Sequence, residues 1–199
     1  MLKHSLIRWV FVGIGTTLTT PLAVGLLGIQ TVSSQHADEL DRYGFRAAAL
    51  DAHNAYRAEH QSPALGSSAA LNEAAQDWAE TLAKKGEFQH SDSDDGENLY
   101  VEYTTAASLD PEFLANQAVK SWYDEVADYD FSNPGFSSET GHFTQVVWKS
   151  TRYVGCGVAQ GIKTIEATPY NAFYVVCHYS PPGNITNAGQ FEENVLPKQ

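Results

Sequence analysis

The sequence has few basic residues. Lysine and arginine together number 12, against 24 aspartates and glutamates, so the formal net charge of the 199 residues is −12 at pH 7. Nucleic acids and anionic membranes attract basic surfaces, and this balance therefore argues against both as partners. The sequence shows no internal repeat and no second domain, so we expect one domain behind the N-terminal segment.

Several catalytic signatures are also missing. There is no His-Glu-x-x-His motif and no Gly-x-Ser-x-Gly motif. Gly13 and Gly15 lie in the N-terminal apolar stretch and predict no phosphate-binding loop. The acids around Asp92 lack EF-hand spacing, which argues against a calcium loop. The sequence therefore does not indicate a serine nucleophile or a helical zinc-peptidase motif.

The N-terminal segment has the features of an export signal. Lys3 and Arg8 flank the start of an apolar run, and the first acidic residues, Asp38 and Glu39, follow it. This charge asymmetry directs the C-terminal side out of the cytoplasm. We predict a signal peptide at residues 1–34 and a secreted product with no membrane span. The length of the run leaves an uncleaved anchor as the alternative. Residues 35–44 are predicted to be a polar linker.

The chain has only two cysteines, and the segments around both alternate as strands do. An antiparallel pair with Cys156 opposite Cys177 also places Val158 opposite Val175, with a loop at 161–171 between the strands. In an exported chain this pattern predicts one disulfide, worth about 3 kcal/mol for a loop of this length. Two buried free thiols are the alternative.

Three segments have the apolar spacing of amphipathic helices. They cover residues 41–60, 72–85 and 114–129. Gly86 is the predicted stop of the second helix. A fourth helix is predicted to start at Gly141, with Thr140 or Ser138 as its N-cap.

The first of these helices carries an unusually polar face. Leu50, His53, Asn54 and Arg57 share it. Either this face is solvated, or Asn54 and Arg57 are buried and hydrogen-bonded to loops, as structural clamps.

Two histidines and two glutamates form a candidate metal site. His90, Glu97, Glu125 and His142 all lie beside apolar or glycine-marked positions. Two imidazoles with a carboxylate-held water would suit zinc in an open site. In the first turn of a helix, the dipole favours the neutral His142 ring that a metal needs. The spacing leaves open whether the four side chains meet.

Four short motifs occur in sequence order. They are Leu50-x-x-His53-Asn54-x-x-Arg57, Gly96-Glu97-Asn98-Leu99, the segment 141–148 and the segment 174–184. Together they resemble the signature of the CAP superfamily, which comprises cysteine-rich secretory, antigen 5 and pathogenesis-related proteins. The tail at 191–197 looks closest to the Golgi-associated plant pathogenesis-related branch, whereas the leader and the cysteine pair suit secreted members.

The resemblance implies an α+β fold for residues 45–197, the CAP/SCP domain. The fold expected from the resemblance is a three-layer α-β-α sandwich with a small antiparallel sheet. The resemblance also implies a shallow cleft, in which His90 and His142 bind a divalent cation such as zinc and Glu97 and Glu125 hold its water. His178 stands where many members have asparagine, a change that we expect to matter little.

Some family members bind sterols or fatty acids, and in sterol binders an aromatic loop resembling a caveolin-binding pattern matters. Tyr129, Phe131 and Phe136 fit its spacing; the alternative is a turn whose aromatic rings complete the core. The first functional hypothesis is a secreted, non-enzymatic protein that binds a small lipid. The second is a metal-dependent hydrolase, most simply a peptidase, with Glu97 or Glu125 as general base. The third is an extracellular defence or signalling module with an inert cleft and an unidentified protein partner.

Overall fold

The computed structural model describes residues 8–9 and 30–199. The elements in order are β1 (Arg8–Trp9), α1 (Gln30–Glu59), β2 (Gly66–Ser67), α2 (Ala69–Lys85), β3 (Gly96–Thr104), α3 (Pro111–Tyr123), a 3-10 helix (Asp124–Asp128), α4 (Gly141–Val147), β4 (Tyr153–Ile165), β5 (Thr168–Ser180) and α5 (Gln190–Asn194). The predicted signal peptide falls largely outside the described residues. None of the helices described is both long and apolar enough to span a bilayer.

The strands form one sheet in the order β1-β3-β5-β4-β2. The three long strands are antiparallel neighbours, and the two short strands pair in parallel at the edges. Helix α2 packs on one face, whereas α1, α3 and α4 pack on the other. The predicted three-layer α+β sandwich is therefore confirmed, with a sheet that is mixed rather than purely antiparallel.

The β4–β5 hairpin has the register predicted from the sequence. Cys156 lies opposite Cys177, and Val158 lies opposite Val175. The two cysteines are buried and form a disulfide. The predicted loop at 161–171 is wrong, because the strands continue to a two-residue turn of Glu166 and Ala167. Both turn residues have positive φ (48° and 66°), as tight hairpin turns require.

The disulfide gives the first testable stability effect. Replacing both cysteines with alanine is expected to lower the free energy of unfolding by about 3 kcal/mol, since the unfolded chain regains the freedom that the crosslink removes. Urea denaturation measures the difference. A thiol reductant should reproduce the loss in the wild type and leave the double variant unchanged. Equal urea midpoints for the oxidised and reduced wild type would contradict this assignment.

Two helix starts differ from those predicted. Helix α1 begins at Gln30, so the predicted linker at 35–44 lies within the helix. No proline interrupts that stretch, and its alanine, glutamate and leucine favour helix despite the polar composition. Helix α3 starts at Pro111, directly after its N-cap residue Asp110. The side chain of Asp110 accepts a hydrogen bond from the N–H of Phe113.

Two helix ends follow simple local rules. Helix α2 ends at Gly86 in the left-handed conformation (φ 65°), as predicted. Helix α3 ends at Tyr123, and the remainder of the predicted segment tightens into the 3-10 helix. This tightening places Glu125 in the core.

The polar face of α1 is largely buried, with His53 and Arg57 fully buried and Asn54 half-buried. Arg57 is fully buried and donates to four backbone carbonyl oxygens at 2.8–3.1 Å, those of Pro63, Val146, Trp148 and Thr151. Asn54 exchanges two hydrogen bonds with the backbone of Leu65. Both side chains therefore hold loops through hydrogen bonds, which is one of the two interpretations of this face that the sequence leaves open.

Candidate functional site

A cleft of about 560 Å³ lies where the loop after α2, the start of β3 and the start of α4 meet. His90, Glu97 and His142 line it, together with Phe136. Glu125 lies behind His142 and is buried. The structure therefore places all four predicted metal-site residues at one cleft, although not as a single cluster.

His142 and Glu125 form the first imidazole–carboxylate pair. Glu125 Oε1 accepts from His142 Nδ1 at 2.6 Å. Glu125 Oε2 accepts the backbone N–H groups of His142 and Phe143 at 2.9 and 3.1 Å. Because an ionised carboxylate only accepts, the proton sits on Nδ1, and Nε2 is the nitrogen left for a ligand.

The same contacts show what caps α4. Helix α4 begins at Gly141 with Thr140 at the N-cap position, as predicted, but the Thr140 side chain makes no capping hydrogen bond. The buried carboxylate of Glu125 takes that role from a distant part of the chain, because it accepts the N–H groups of His142 and Phe143.

His90 and Glu97 form the second pair. Glu97 Oε1 accepts from His90 Nδ1 at 2.5 Å and from the N–H of Ser91 at 3.1 Å. Glu97 Oε2 accepts from His178 Nε2 at 2.9 Å. Burial alone would raise the pKa of Glu97, but the hydrogen bonds from His178, His90 and Ser91 outweigh it and lower the pKa to about 2. His178, expected to matter little, contacts the site directly.

Strand β3 connects the two pairs because successive side chains of a strand point to opposite faces. Glu97 points to the face that α2 covers, where it meets His90 and His178. Asn98 points to the α1 face, where its Nδ2 donates to His142 O and to Tyr179 Oη, each at 3.2 Å. The start of one strand thus fixes both sides of the cleft.

A buried hydrogen-bond chain supports the cleft from α1. His53 Nδ1 lies 2.6 Å from Ala49 O, and His53 Nε2 lies 2.7 Å from Tyr179 Oη. A carbonyl only accepts, so His53 carries its proton on Nδ1 and accepts from the Tyr179 hydroxyl. Burial lowers the pKa of His53 to about 4. The neutral ring therefore connects α1, through Tyr179 and Asn98, to the backbone of His142.

This histidine predicts how stability depends on pH. The unfolded chain binds a proton at His53 near pH 6.5, whereas the folded chain binds it only near pH 4. Unfolding therefore takes up a proton between these values, and the free energy of unfolding falls by about 3 kcal/mol as the pH drops through them. Urea titrations from pH 7 to pH 4 measure this slope.

A non-titrating variant is the control for the pH slope. His53→Gln should flatten it, leaving a remainder from His60, whose pKa burial also lowers. A wild-type free energy of unfolding that stays constant from pH 7 to pH 4 would count against the buried neutral His53.

The three aromatic residues of the predicted lipid-binding loop separate in the structure. Tyr129 is buried and Phe131 is half-buried, and both pack on Phe143 with ring centroids 5.4 and 6.2 Å apart. Phe136 instead lines the cleft with 57% of its surface exposed. Two of the rings complete the core, and one is available to a ligand.

The metal-binding capacity of the cleft is limited to its imidazoles. Within residues 30–199, no three His, Cys, Asp or Glu side chains are arranged to hold an ion. Glu97 and Glu125 are turned towards their histidines and backbone amides. What remains is Nε2 of His90 and of His142, for which no partner is seen in the described chain. This donor set fits an open site in which water completes the coordination.

Known proteins share this sequence pattern over most of the chain. The family profile described as CAP: Cysteine-rich secretory protein family matches residues 50–179. Golgi-associated plant pathogenesis-related protein 1 of Homo sapiens is 41% identical over 157 residues, covering 77% of this chain and 93% of that protein. Protein PRY2 of Saccharomyces cerevisiae is 38% identical over 154 residues, covering 77% of this chain but 41% of that protein. Secreted protein RBT4 of Candida albicans is 40% identical over 157 residues, covering 75% of this chain and 40% of that protein.

Solved structures share the fold. A structure described as NaASP2 with Zn2+ has a TM-score of 0.55 and 25% identity, and the match covers 80% of this chain and 86% of that one. The structure of Na-ASP-1 has a TM-score of 0.53 at 21% identity, which supports the fold alone. The profile match and the human relative agree with the four motifs found in the sequence. This chain therefore belongs to the CAP family of cysteine-rich secretory proteins.

Proposed function

We propose that this chain is an exported, non-enzymatic protein that binds a small lipid, a sterol or a fatty acid, in the cleft between His90 and His142. The observation that carries the proposal is the lining of the cleft. Phe88, Leu99 and Phe136 offer apolar surface beside two imidazole nitrogens that have no partner among the described residues. The volume of about 560 Å³ is typical of pockets for small molecules.

The charges around the cleft favour a hydroxyl head group. With the proton on Nδ1, each imidazole presents Nε2 as a hydrogen-bond acceptor, which a hydroxyl can fill. Two carboxylates lie directly behind the imidazoles, and Asp92 lines the rim. A fatty-acid carboxylate would be repelled by these negative charges. For the cleft without a metal ion, a sterol is therefore the preferred ligand and a fatty acid the weaker one.

A divalent cation such as zinc is the proposed companion of the lipid. A carboxylate on the far ring nitrogen is the usual support of a metal-bound histidine, and both His90 and His142 have one. The structural likeness to NaASP2 with Zn2+ supports this choice. An ion held at Nε2 of both rings would replace the direct bonds between the imidazoles and the lipid hydroxyl, and it would itself supply positive charge for that oxygen.

The geometry supports binding over hydrolysis. A general base needs a carboxylate that can accept a proton from water at the cleft. Both oxygens of Glu125 are engaged by His142 and Phe143 behind the cleft. Both oxygens of Glu97 are engaged by His90, Ser91 and His178. The hydrolase hypothesis would have to displace these donors first.

Export is part of the proposal. Disulfides persist in oxidising compartments, and the single pair of cysteines here is bonded. RBT4 is named as a secreted protein, whereas the human relative is named as Golgi-associated. The name of RBT4 supports export, as does the signal peptide predicted at residues 1–34.

A sterol-binding assay with matched variants tests the proposal. Phe136 and Phe113 are similarly exposed, at 57% and 54%, but Phe136 lines the cleft and Phe113 lies on α3 outside its lining. Phe136→Ala is expected to weaken cholesterol binding about tenfold, since a buried aromatic contact is lost, and Phe113→Ala is expected to leave it unchanged. Failure of the wild type to bind either cholesterol or palmitate, or equal losses in both variants, would overturn the proposal.

A further inference from the structure

The two imidazole–carboxylate pairs share one design. In each, one carboxylate oxygen holds the Nδ1 of a cleft histidine, and the other oxygen is fixed by the protein. For Glu125 the second oxygen is fixed by two backbone amides of α4. For Glu97 it is fixed by His178 Nε2 at 2.9 Å, with the N–H of Ser91 at 3.4 Å. His178 thus fixes the second carboxylate oxygen of Glu97, as the backbone amides at the start of α4 fix that of Glu125.

Strand pairing explains why His178 reaches Glu97. The two residues lie directly opposite each other in the β3–β5 ladder, so their side chains are neighbours on the same face. On the other side of His178 lies Gly155. A Cβ at Gly155 would come within 2.2 Å of the backbone nitrogen of Asn72, so no side chain can compete for this space. The His178 side chain is only 3% exposed.

The bonding of His178 differs from that of the two fully buried histidines. His53 and His60 each use both ring nitrogens. Within the described chain, His178 Nδ1 is buried and has no hydrogen-bond partner. An unsatisfied buried nitrogen costs stability, so the ring is poorly suited to serve stability alone. The one bond that it makes is directed at the carboxylate that holds His90.

We propose that His178 is a positioning residue for the cleft: its Nε2–H fixes Glu97, and Glu97 in turn holds His90 with Nε2 towards the ligand. The inference rests on the proposed function only in that the ligand uses His90 Nε2. The inference also predicts which substitutions of His178 preserve the hydrogen bond to Glu97. The amide nitrogen of glutamine is as many bonds from Cβ as Nε2 of histidine, whereas the amide nitrogen of asparagine ends one bond short.

The test uses three variants of the full chain, His178→Gln, His178→Asn and His178→Leu. Nitrogen-15 NMR of the His90 ring reports where its proton resides. Wild type and His178→Gln are expected to show the Nδ1–H tautomer. The Asn and Leu variants are expected to show a mixture, because Glu97 is no longer fixed. A merely structural role would shift the melting temperature without changing this tautomer.

Zinc affinity provides the second readout, measured by calorimetry with zinc chloride. The Leu and Asn variants are expected to bind zinc about 10–100-fold more weakly than wild type, as for other partners of metal-bound histidines, and His178→Gln within about threefold of it. His178→Asn keeps a small polar side chain, so it carries the test if the Leu variant does not fold.

The outcomes separate this inference from the proposed function. An unchanged Nδ1–H tautomer of His90 in the Asn or Leu variant overturns the inference, whatever the ligand. The expected tautomer change supports it even if wild type binds neither zinc nor lipid, and that second result would overturn the proposed function alone. Where wild type does bind zinc, an equal zinc affinity of the Asn variant would also overturn the inference.

Discussion

Arg57→Met is expected to lower the free energy of unfolding by about 5 kcal/mol. Burial lowers the pKa of Arg57 to about 10, which still leaves it charged at pH 7. In the described part of the chain, its guanidinium donates to no carboxylate and is stabilised instead by four carbonyl dipoles. Methionine fills the space but leaves these carbonyls without the donor, at about 1–3 kcal/mol for each buried group left unpaired. A domain of this size loses a large share of its stability this way.

Matched arginine and lysine variants make the test specific. Arg42 belongs to the same helix, but it is half exposed and forms a surface ion pair with Glu80 at 3.2 Å. Arg42→Met should change the free energy of unfolding by no more than about 0.5 kcal/mol. Arg57→Lys should recover only part of the loss, since one ammonium cannot span the carbonyls of separate segments. Similar urea midpoints for the Arg57→Met and Arg42→Met variants would contradict the clamp.

Glu125→Ala is expected to cost about 4 kcal/mol and to abolish ligand binding. The carboxylate accepts three protein hydrogen bonds, and bonds to a charged group contribute about 1.5–3 kcal/mol each. Without this carboxylate the first turn of α4 has no side-chain cap, because Thr140 makes no capping hydrogen bond. The ring of His142 also loses the partner that fixes its proton on Nδ1.

Two neighbouring variants control this experiment. Glu125→Gln can still accept from the backbone amides, but it presents an NH₂ group to the Nδ1–H of His142 and turns the ring. We expect Glu125→Gln to lower the free energy of unfolding by about half as much as Glu125→Ala does, and to abolish zinc binding. Asp124→Asn alters an exposed ion pair with Lys120 and should change stability by less than about 0.5 kcal/mol. Equal stability of the Glu125→Ala and Asp124→Asn variants would count against the cap.

The sequence predicted the features that are set by residues close together in the chain. Cys156 and Cys177 lie on adjacent strands of one hairpin, so strand alternation alone set their register. Gly86 ended α2 because its left-handed conformation is a property of glycine. The four site residues followed from short motifs, and the structure places them at one cleft.

The sequence did not predict how distant segments meet. Strand β3 was missed because helices cover both of its faces, so residues 98–103 are all buried and do not alternate. Without β3, nothing placed His178 opposite Glu97. The four site residues looked like one ligand set, whereas the structure divides them into the pairs His90–Glu97 and His142–Glu125. Such pairing depends on contacts between segments that lie far apart in the chain.

Lipid recovered from the protein itself tests the central claim most directly. The full chain is incubated with phosphatidylcholine vesicles containing cholesterol, re-isolated and extracted, and the extract is quantified by mass spectrometry. With free sterol at about ten times the wild-type Kd, we expect about 0.9 sterol per chain for the wild type and for Phe113→Ala, and about 0.5 for the tenfold weaker Phe136→Ala. An extract free of sterol from the wild type, or equal amounts from the wild type and Phe136→Ala, would contradict a lipid site in the cleft between His90 and His142.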